Sequence, residues 1–337
     1  MLLRSLSAIA LAGACSLWVS VASAQDPAAS LEPREVRAWL MRIHQAANHH
    51  NFQGTFVVSA GGSVSSARIA HYCDGRNQFE RVESLDGQMR RVFRHNNVVH
   101  TLWPQNKLAL VEQRESMSSF PALLQGGDDR IVDSYDVRSL GNDRVAGHEA
   151  HVLHLRPKDA HRFGYRLWAD RVSGLLLRAE VLGERDEVIE SSAFSDVVIG
   201  VKAQPESVLQ PMTRLEGYRV LRPALTPTRL EDEGWSLRTP LSGFRQVSCI
   251  KRPLEAGADA GRTSVPEVLQ SIYSDGLTYV SVFIEPFNAG RHGKPIQTSI
   301  GATQTMTRRQ GDWWVTVVGD VPLATLRMFV GALERRK

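Results

Sequence analysis

Residues 52–103, FQGTFVVSAGGSVSSARIAHYCDGRNQFERVESLDGQMRRVFRHNNVVHTLW, decide the fold of the first part of the chain. Apolar and polar residues alternate there in short runs, and each run ends in a pair of turn residues: Gly61-Gly62, Asp74-Gly75, Asp86-Gly87 and Asn96-Asn97. Alternation is typical of half-buried strands, and such turn pairs join neighbouring strands into hairpins. The stretch therefore predicts an antiparallel meander.

The strand pattern continues towards the C-terminus, and a helix precedes it. Residues 31–50 have apolar side chains at helical spacing, and Pro33 and Glu35 suit a first helical turn. Further strands are predicted at Leu108–Arg114, Ile131–Val137, Arg144–Leu155, Tyr165–Ala169, Leu175–Leu182 and Val188–Val198. A run of about ten strands is too long for a flat open sheet. We therefore expect a curved sheet, or half-open β-barrel, with the 31–50 helix over its open side.

A second, smaller domain is predicted after a proline-rich stretch. Residues 200–228 have little periodicity and contain four prolines, at positions 205, 211, 223 and 227, which favours a linker. We place the large domain at residues 25–203, the linker at 204–222 and the small domain at 223–337.

The small domain is predicted to be of the α+β class, in a chain that is mainly β with some α. Its predicted strands are Phe244–Lys251, Leu277–Ile284 and Trp313–Val318. Its predicted helices are a short one at Val265–Ser271 and a C-terminal one at Pro322–Leu333, which has apolar residues on one face.

The N-terminus predicts export to the periplasm. Arg4 precedes an apolar run at residues 6–21, and Ala22-Ser23-Ala24 fits a signal-peptidase site, so residues 1–24 are expected to be removed before Gln25. The apolar run is too short and too interrupted for a membrane span. An alternative is lipidation of Cys15, although Ala12 stands where a lipoprotein signal prefers Leu.

Charge and motifs exclude several classes of function. The net charge is +4, and no Lys or Arg cluster exceeds Arg335-Arg336-Lys337, so no nucleic-acid partner is expected. No Gly-x-Ser-x-Gly elbow, P-loop or dinucleotide fingerprint is present, so no enzyme and no cofactor are predicted. His148 and His154 would lie about 20 Å apart on a strand, with His151 on the other face, so no metal site is predicted.

Two features of the sequence each leave two interpretations open. Cys73 and Cys249 could pair in an oxidising compartment, or they could be separate buried thiols, which we favour. Residues 144–177 combine arginines with aromatic residues. Their charges could pair on the outer face of a hairpin, or they could hold an acidic or phosphorylated group of a partner.

Three segments carry a family resemblance. Residues 157–170 (PKDAHRFGYRLWAD), 273–285 (YSDGLTYVSVFIE) and 315–322 (VTVVGDVP) resemble the RseB/MucB family of sigma-E regulatory proteins. With Leu85-Asp86-Gly87 and Arg144-Val145-Ala146-Gly147, which also match, the segments occur in the family's order and span almost the whole mature chain. One departure is Asp320, where the family pattern has Glu.

The resemblance implies a function as well as a fold. It implies a LolA-type large domain with a lipid-sized cavity, and a protein that binds the periplasmic domain of a membrane anti-sigma factor. The bound factor would be shielded from the site-one protease until lipopolysaccharide or lipoprotein acyl chains displace the regulator. A periplasmic lipid or lipoprotein carrier is the alternative, and the sequence leaves a homo-oligomer open.

Two groups of site residues follow. The lipid cavity is expected to be lined by Phe56, Val58, Ile69, Phe79, Val92 and Leu102, unless these residues simply pack against the 31–50 helix. The partner is expected to bind the basic and aromatic residues within 156–168 and the family signature at 273–285, through Arg162, Tyr165, Arg166, Trp168, Tyr273, Ser274 and Asp275.

Overall fold

A computed structural model describes residues 30–113, 120, 130–239, 241–254 and 267–336. The predicted signal peptide, its cleavage site and Cys15 lie outside these residues. The helices are α1 (Pro33–His49), α2 (Arg130–Ser134), α3 (Glu206–Thr213) and α4 (Leu323–Ala332). None of the helices described is long and apolar enough to cross a membrane.

The first sheet has twelve strands among the described residues. They are β1 (Phe52–Ala60), β2 (Ser63–Cys73), β3 (Gln78–Ser84), β4 (Arg91–His95), β5 (Val98–Trp103), β6 (Leu108–Gln113), β7 (Tyr135–Val145), β8 (His148–Pro157), β9 (Gly164–Asp170), β10 (Leu176–Leu182), β11 (Val188–Ile199) and β12 (Arg219–Leu221). Their order is β12-β6-β5-β4-β3-β2-β1-β11-β10-β9-β8-β7. The sheet does not close, and its neighbours pair antiparallel except β12 with β6. The predicted meander and half-open barrel are confirmed.

Helix α1 lies on one face of this sheet, as the sequence predicts. The Glu35 carboxylate accepts the backbone N–H of Glu32 in a capping box, which fixes the start of the helix. Val36, Leu40 and Ile43 are buried in one cluster with sheet residues that include Leu153 and Leu167. We call the face that contacts α1 the inner face.

The remaining strands are β13 (Thr226–Pro227), β14 (Trp235–Leu237), β15 (Arg245–Pro253), β16 (Glu267–Ser274), β17 (Tyr279–Pro286), β18 (Gln297–Ile300), β19 (Thr303–Gln310), β20 (Trp313–Gly319) and β21 (Leu333–Arg335). A second sheet has the order β13-β15-β16-β17-β20-β19-β18, and β14 pairs with β21. Helix α4 buries Leu326, Phe329 and Val330 against Val282 and Val317. This unit is a small α+β structure, as predicted.

Three local predictions were wrong. Ile131 begins no strand, because Ile131 and Tyr135 lie one helical turn apart and helix α2 occupies residues 130–134. Residues 144–155 form two strands rather than one, because Ala146 and Gly147 both adopt positive φ and make a tight turn. The described part of the predicted helix at 265–271 is strand β16, because pairing with both β15 and β17 overrides its local pattern.

The predicted linker contains regular structure. Helix α3 buries Val208 against Tyr72 and Phe93 of the first sheet, and β12 pairs in parallel with β6. Only residues 222–225 lie between this structure and β13 of the second sheet. The domain boundaries themselves stay a prediction.

Cys73 and Cys249 are free thiols in the structure. Each is partly buried, and burial raises the pKa of the Cys249 thiol to about 11. A thiol with this pKa stays protonated and unreactive at neutral pH.

Candidate functional site

Arg162 lies at the junction of the two sheets, in the loop that connects β8 to β9. Its side chain is only 1% exposed. Nε donates a hydrogen bond to Asp275 Oδ2 at 2.7 Å, Nη2 donates to the backbone oxygen of Ser242 at 2.8 Å, and Nη1 pairs with Asp159. Burial opposes the charge on the guanidinium, but Asp275 and Asp159 outweigh it and raise the pKa of Arg162. A side chain of the large unit is therefore held by two groups of the small unit, the Asp275 carboxylate and the Ser242 carbonyl.

Asp275 is the acidic partner at this junction and is fully buried. Its Oδ1 accepts the backbone N–H groups of Leu277 and Thr278, both at 2.9 Å, which shapes the turn between β16 and β17. Its Oδ2 accepts Arg162 and, at 3.4 Å, the hydroxyl of Tyr135. Burial raises the pKa of Tyr135 well above its usual value, with a further contribution from Asp275, so the hydroxyl keeps its proton and can donate it.

The structure separates the predicted partner-binding residues into three places. Arg162, Tyr165 and Asp275 come together at the junction, where Tyr165 packs edge-on against Tyr135 with ring centroids 6.3 Å apart. Tyr273 lies in the core of the small unit, against Phe329. The Ser274 hydroxyl accepts the backbone N–H of Gly276 at 3.0 Å. Arg166 and Trp168 lie on the opposite face of β9 from Tyr165, because side chains alternate along a strand.

Arg166 belongs to a row of basic side chains on the outer face of the first sheet, and the Trp168 ring lies beside it, with its centre 6.0 Å from the Arg166 guanidinium. Strand register pairs Arg138 with His154, His154 with Arg166, and Arg178 with Trp168. We call Arg138, His154, Arg166 and Arg178 the basic face. Burial lowers the pKa of His154, and the nearby arginines lower it further.

The basic face carries one buried acidic group. Glu180 lies 3.0 Å from Arg166 and also pairs with Arg178. The Trp168 indole N–H donates a hydrogen bond to the Asp143 carboxylate at 2.9 Å. The Arg178 guanidinium lies 4.6 Å from the centre of the Trp168 ring. Much of the charge on this face is therefore paired, as one of the two interpretations of the sequence required, while Arg166 stays one-third exposed.

Four of the six predicted cavity residues share the inner face. Cross-strand register places Val58 opposite Ser192, Ile69 opposite Val82, and Val82 opposite Val92. Phe56 lies on the same side and contacts Phe120 and Phe194, with ring centroids 5.6 and 6.3 Å away. Ile69 is buried, and Phe56, Val58 and Val92 are half-buried.

The other two predicted cavity residues point the opposite way. Phe79 and Leu102 lie on the outer face, in a buried cluster with Tyr72 and with Val208 of α3. Side chains alternate between the two faces along a strand, and Val82 and Val92 are on the inner face. Phe79 is three positions from Val82, and Leu102 is next to Thr101, which pairs with Val92, so both point away from the cavity. Local pattern did not predict α3, which covers them.

Several residues at the junction were not singled out from the sequence. Leu277, in the turn between β16 and β17, is buried in the core cluster of the large unit rather than in its own. Phe244 lies under the Arg162 guanidinium, 4.9 Å from ring centre to Cζ. Gly243 approaches Arg162 closely, and a cleft of about 460 Å³ opens beside it between Lys158 and Arg245. Gly243 and the turn Ser274-Asp275-Gly276-Leu277 can be recognised in the sequence as turn-forming residues. Their contacts with the large unit cannot, because these depend on how the two units dock.

The three histidines of β8 do not form a metal centre. His148 lies 3.5 Å from Asp170, His151 stacks on Trp39, and His154 lies on the basic face. The described residues contain no cluster of three or more His, Cys, Asp or Glu side chains that could hold a metal ion.

An open antiparallel sheet with one helix on its inner face, docked to a small α+β unit, defines a two-domain β protein. The chain belongs to the MucB/RseB family. The family's N-terminal domain matches residues 35–212, and its C-terminal domain matches residues 229–334.

The relatives are regulatory binding proteins. The chain is 30% identical over 295 residues to the sigma factor AlgU regulatory protein MucB of Pseudomonas aeruginosa, which covers 85% of this chain and 87% of that protein. It is 25% identical to the sigma-E factor regulatory protein RseB of Haemophilus influenzae, over 91% of this chain and 94% of that protein.

Solved structures show the same architecture. The Pseudomonas aeruginosa MucA/MucB complex matches with a TM-score of 0.67 and 26% identity, over 90% of this chain and 99% of that chain. A structure of MucB in complex with MucA(peri) matches with a TM-score of 0.65 and 26% identity, over 89% of this chain and 98% of that chain.

Proposed function

We propose that this chain is a periplasmic negative regulator of the envelope stress response that binds the periplasmic part of a membrane anti-sigma factor. The observation that carries the proposal is the match of both units, in order, to MucB chains solved with MucA. A single lipid carrier needs one cavity, whereas this chain also has a second sheet and helix α4. The bound segment would be shielded from site-one proteolysis.

The inner face supports a lipid signal as the trigger for release. Phe56, Val58 and Val92 present half-buried apolar surface on one face of the open sheet. An acyl chain gains about 0.8 kcal/mol for each methylene that it buries on such a surface. Lipid releases the partner only if it binds the partner-free protein better than the partner-bound protein. Lipopolysaccharide and mislocalised lipoprotein are the proposed sources of that chain.

The partner would contact both units. The basic face offers Arg166 to an acidic or phosphorylated group, and the cleft beside Arg245 lies next to Arg162 and Asp275. Tyr165, Trp168, Tyr273 and Ser274 are buried, so their contribution would be to hold these surfaces in shape.

The units are proposed to be residues 25–203 and 223–337, joined by residues 204–222. Because α3 and β12 pack on the first sheet, limited proteolysis should cut this joining stretch at its C-terminal end, after β12, and leave two resistant fragments. Cleavage that yields no stable fragment near either size would argue against this division.

A pull-down with lipid as competitor tests the regulatory function. The mature chain should capture the periplasmic segment of its cognate anti-sigma factor, and added lipopolysaccharide should release that segment. A lipid or lipoprotein carrier would bind acyl chains but would not retain the segment. Failure to retain the segment under any lipid condition would overturn the regulatory proposal.

A further inference from the structure

The turn between β16 and β17 of the second sheet inserts into the first unit. Leu277, at its tip, is 4% exposed and packs in the cluster that contains Tyr135, Leu155 and Tyr165. Asp275 lies two positions earlier and receives the guanidinium of Arg162. One short turn of the small unit therefore contributes both an apolar contact, through Leu277, and an ion pair, through Asp275, to the junction.

A glycine on the second unit makes room for the arginine of the first. Gly243 has φ +79°, and a Cβ at this position would lie 2.0 Å from Arg162 Nη2. Any other residue would therefore both strain the backbone and displace the guanidinium. The next residue, Phe244, supplies the ring on which the guanidinium rests.

Two further hydrogen bonds join the units on either side of this contact. The Thr325 hydroxyl of α4 donates to the backbone oxygen of His161 at 3.0 Å. The backbone N–H of Ala302 donates to Glu190 of β11 at 3.2 Å. The docked arrangement is thus specified by directional contacts, which fix one orientation of the two units.

The same contacts can separate without leaving a bare charge. Arg162 keeps Asp159 of its own unit as a partner when Asp275 withdraws. Asp275 keeps the two backbone N–H groups of its own turn when Arg162 withdraws. Removing one member of a buried pair is costly chiefly because the other is left unpaired, and here each member retains a partner on its own side.

We propose that Arg162 of the first unit and the Asp275–Leu277 turn of the second form a releasable latch, which holds the small unit in one orientation and lets it swing about residues 222–225 when it opens. The proposal does not depend on the identity of the partner. A latch of this kind gives the chain two discrete arrangements, which is what a ligand-operated switch requires.

Hydrogen exchange of two variants and their controls tests the latch. Asp275→Asn keeps the acceptor for its own turn but loses the charge, and Gly243→Ala places a methyl group on the guanidinium. Glu180→Gln removes a buried carboxylate that pairs with two arginines inside the first sheet. Gly311→Ala imposes the same kind of strain, at φ +61°, with no atom near its Cβ.

Both latch variants should raise the amide exchange rate in residues 161–165 and 274–278 by about tenfold or more. This factor corresponds to the stabilising free energy that is lost when a charge-assisted hydrogen bond is broken. Exchange within α1 and β20 should stay at the wild-type rate, and small-angle scattering should show an expanded molecule. The two controls should leave residues 161–165 and 274–278 unchanged.

Two results would overturn the latch. One is wild-type exchange at residues 161–165 and 274–278 in both latch variants. The other is loss of protection from amide exchange across both sheets together, in these variants and also in Leu277→Ala. That result would mean that the two units unfold as one core and that the contact does not open by itself.

Discussion

Val92 and Leu102 lie on adjacent strands of the first sheet and point to opposite faces of it. Val92 pairs with Thr101, so Leu102, the next residue, faces away. Val92 is half-buried on the inner face, whereas Leu102 is 4% exposed beneath α3. Two apolar residues that the sequence assigned to one cavity therefore have different surroundings.

This difference predicts that inner-face and outer-face variants separate lipid binding from stability. Val58→Asp should abolish binding of a fluorescent acyl probe, because a carboxylate then faces the chain, with little change in unfolding. Leu102→Ala should lower the free energy of unfolding by about 2–5 kcal/mol, the usual cost of a core cavity, and leave probe affinity unchanged. Probe titration and urea unfolding measure the two quantities, and equal loss of probe binding in both variants would contradict the assignment.

Arg166 is predicted to contact the partner through its exposed portion. A charge-assisted hydrogen bond contributes about 1.5–3 kcal/mol, so Arg166→Ala should weaken capture of the anti-sigma segment roughly tenfold or more. Arg91→Ala is the matched control, since Arg91 also pairs with a glutamate of the first sheet, Glu83 at 3.7 Å. Calorimetry that shows a change below about twofold for Arg166→Ala would assign this arginine to internal pairing alone.

Stability is predicted to fall on the acid side of neutrality because of His71. This ring is 1% exposed, stacks on Phe52, and donates from Nδ1 to the backbone oxygen of His50. Burial lowers its pKa below the usual value of 6.5, against the opposing effect of Glu80. The unfolded chain then binds more protons than the folded chain, so stability is complete above pH 6.5 and is lost as the pH falls through the folded pKa.

A variant isolates this contribution. His71→Asn keeps an N–H donor for the carbonyl of His50 but does not titrate. Urea unfolding between about pH 7 and 5 should show a smaller loss of stability in the variant. An identical pH dependence in both proteins would exclude His71 as a source.

Processing is predicted to leave Gln25 as the first residue of the exported protein, since Ala22-Ser23-Ala24 fits the peptidase site. Intact-mass measurement of protein from the periplasm checks this directly. A diacylglyceryl mass on Cys15 would show lipoprotein processing instead.

Local pattern predicted the elements whose contacts are near in sequence. The α1 helix, the hairpins around Asp74-Gly75 and Asp86-Gly87, and α4 follow from periodicity and turn residues. The pattern missed α3, because Pro211 inside that helix is read as a breaker. It also missed β18 and β19, which are polar and mostly exposed or half-buried.

The junction could not be derived from local pattern at all. Arg162 and Asp275 are 113 positions apart, and their contact depends on the docking of two separately built units. The family resemblance marked both segments, but it did not show that their side chains bind each other. Placing Phe79 and Leu102 in the cavity failed for a related reason, because their strands carry apolar residues on both faces and α3 covers the outer face.

The proposed regulation depends on binding of the anti-sigma segment, and a single titration measures that binding. Isothermal calorimetry should measure the affinity of the mature full-length chain for the periplasmic segment of its anti-sigma factor, with and without lipopolysaccharide. We predict a dissociation constant of about 1 μM or tighter, near −8 kcal/mol, that weakens by at least about tenfold when lipopolysaccharide is present. Absence of binding at about 100 μM, or an affinity that lipopolysaccharide leaves unchanged, would contradict the proposed regulatory function.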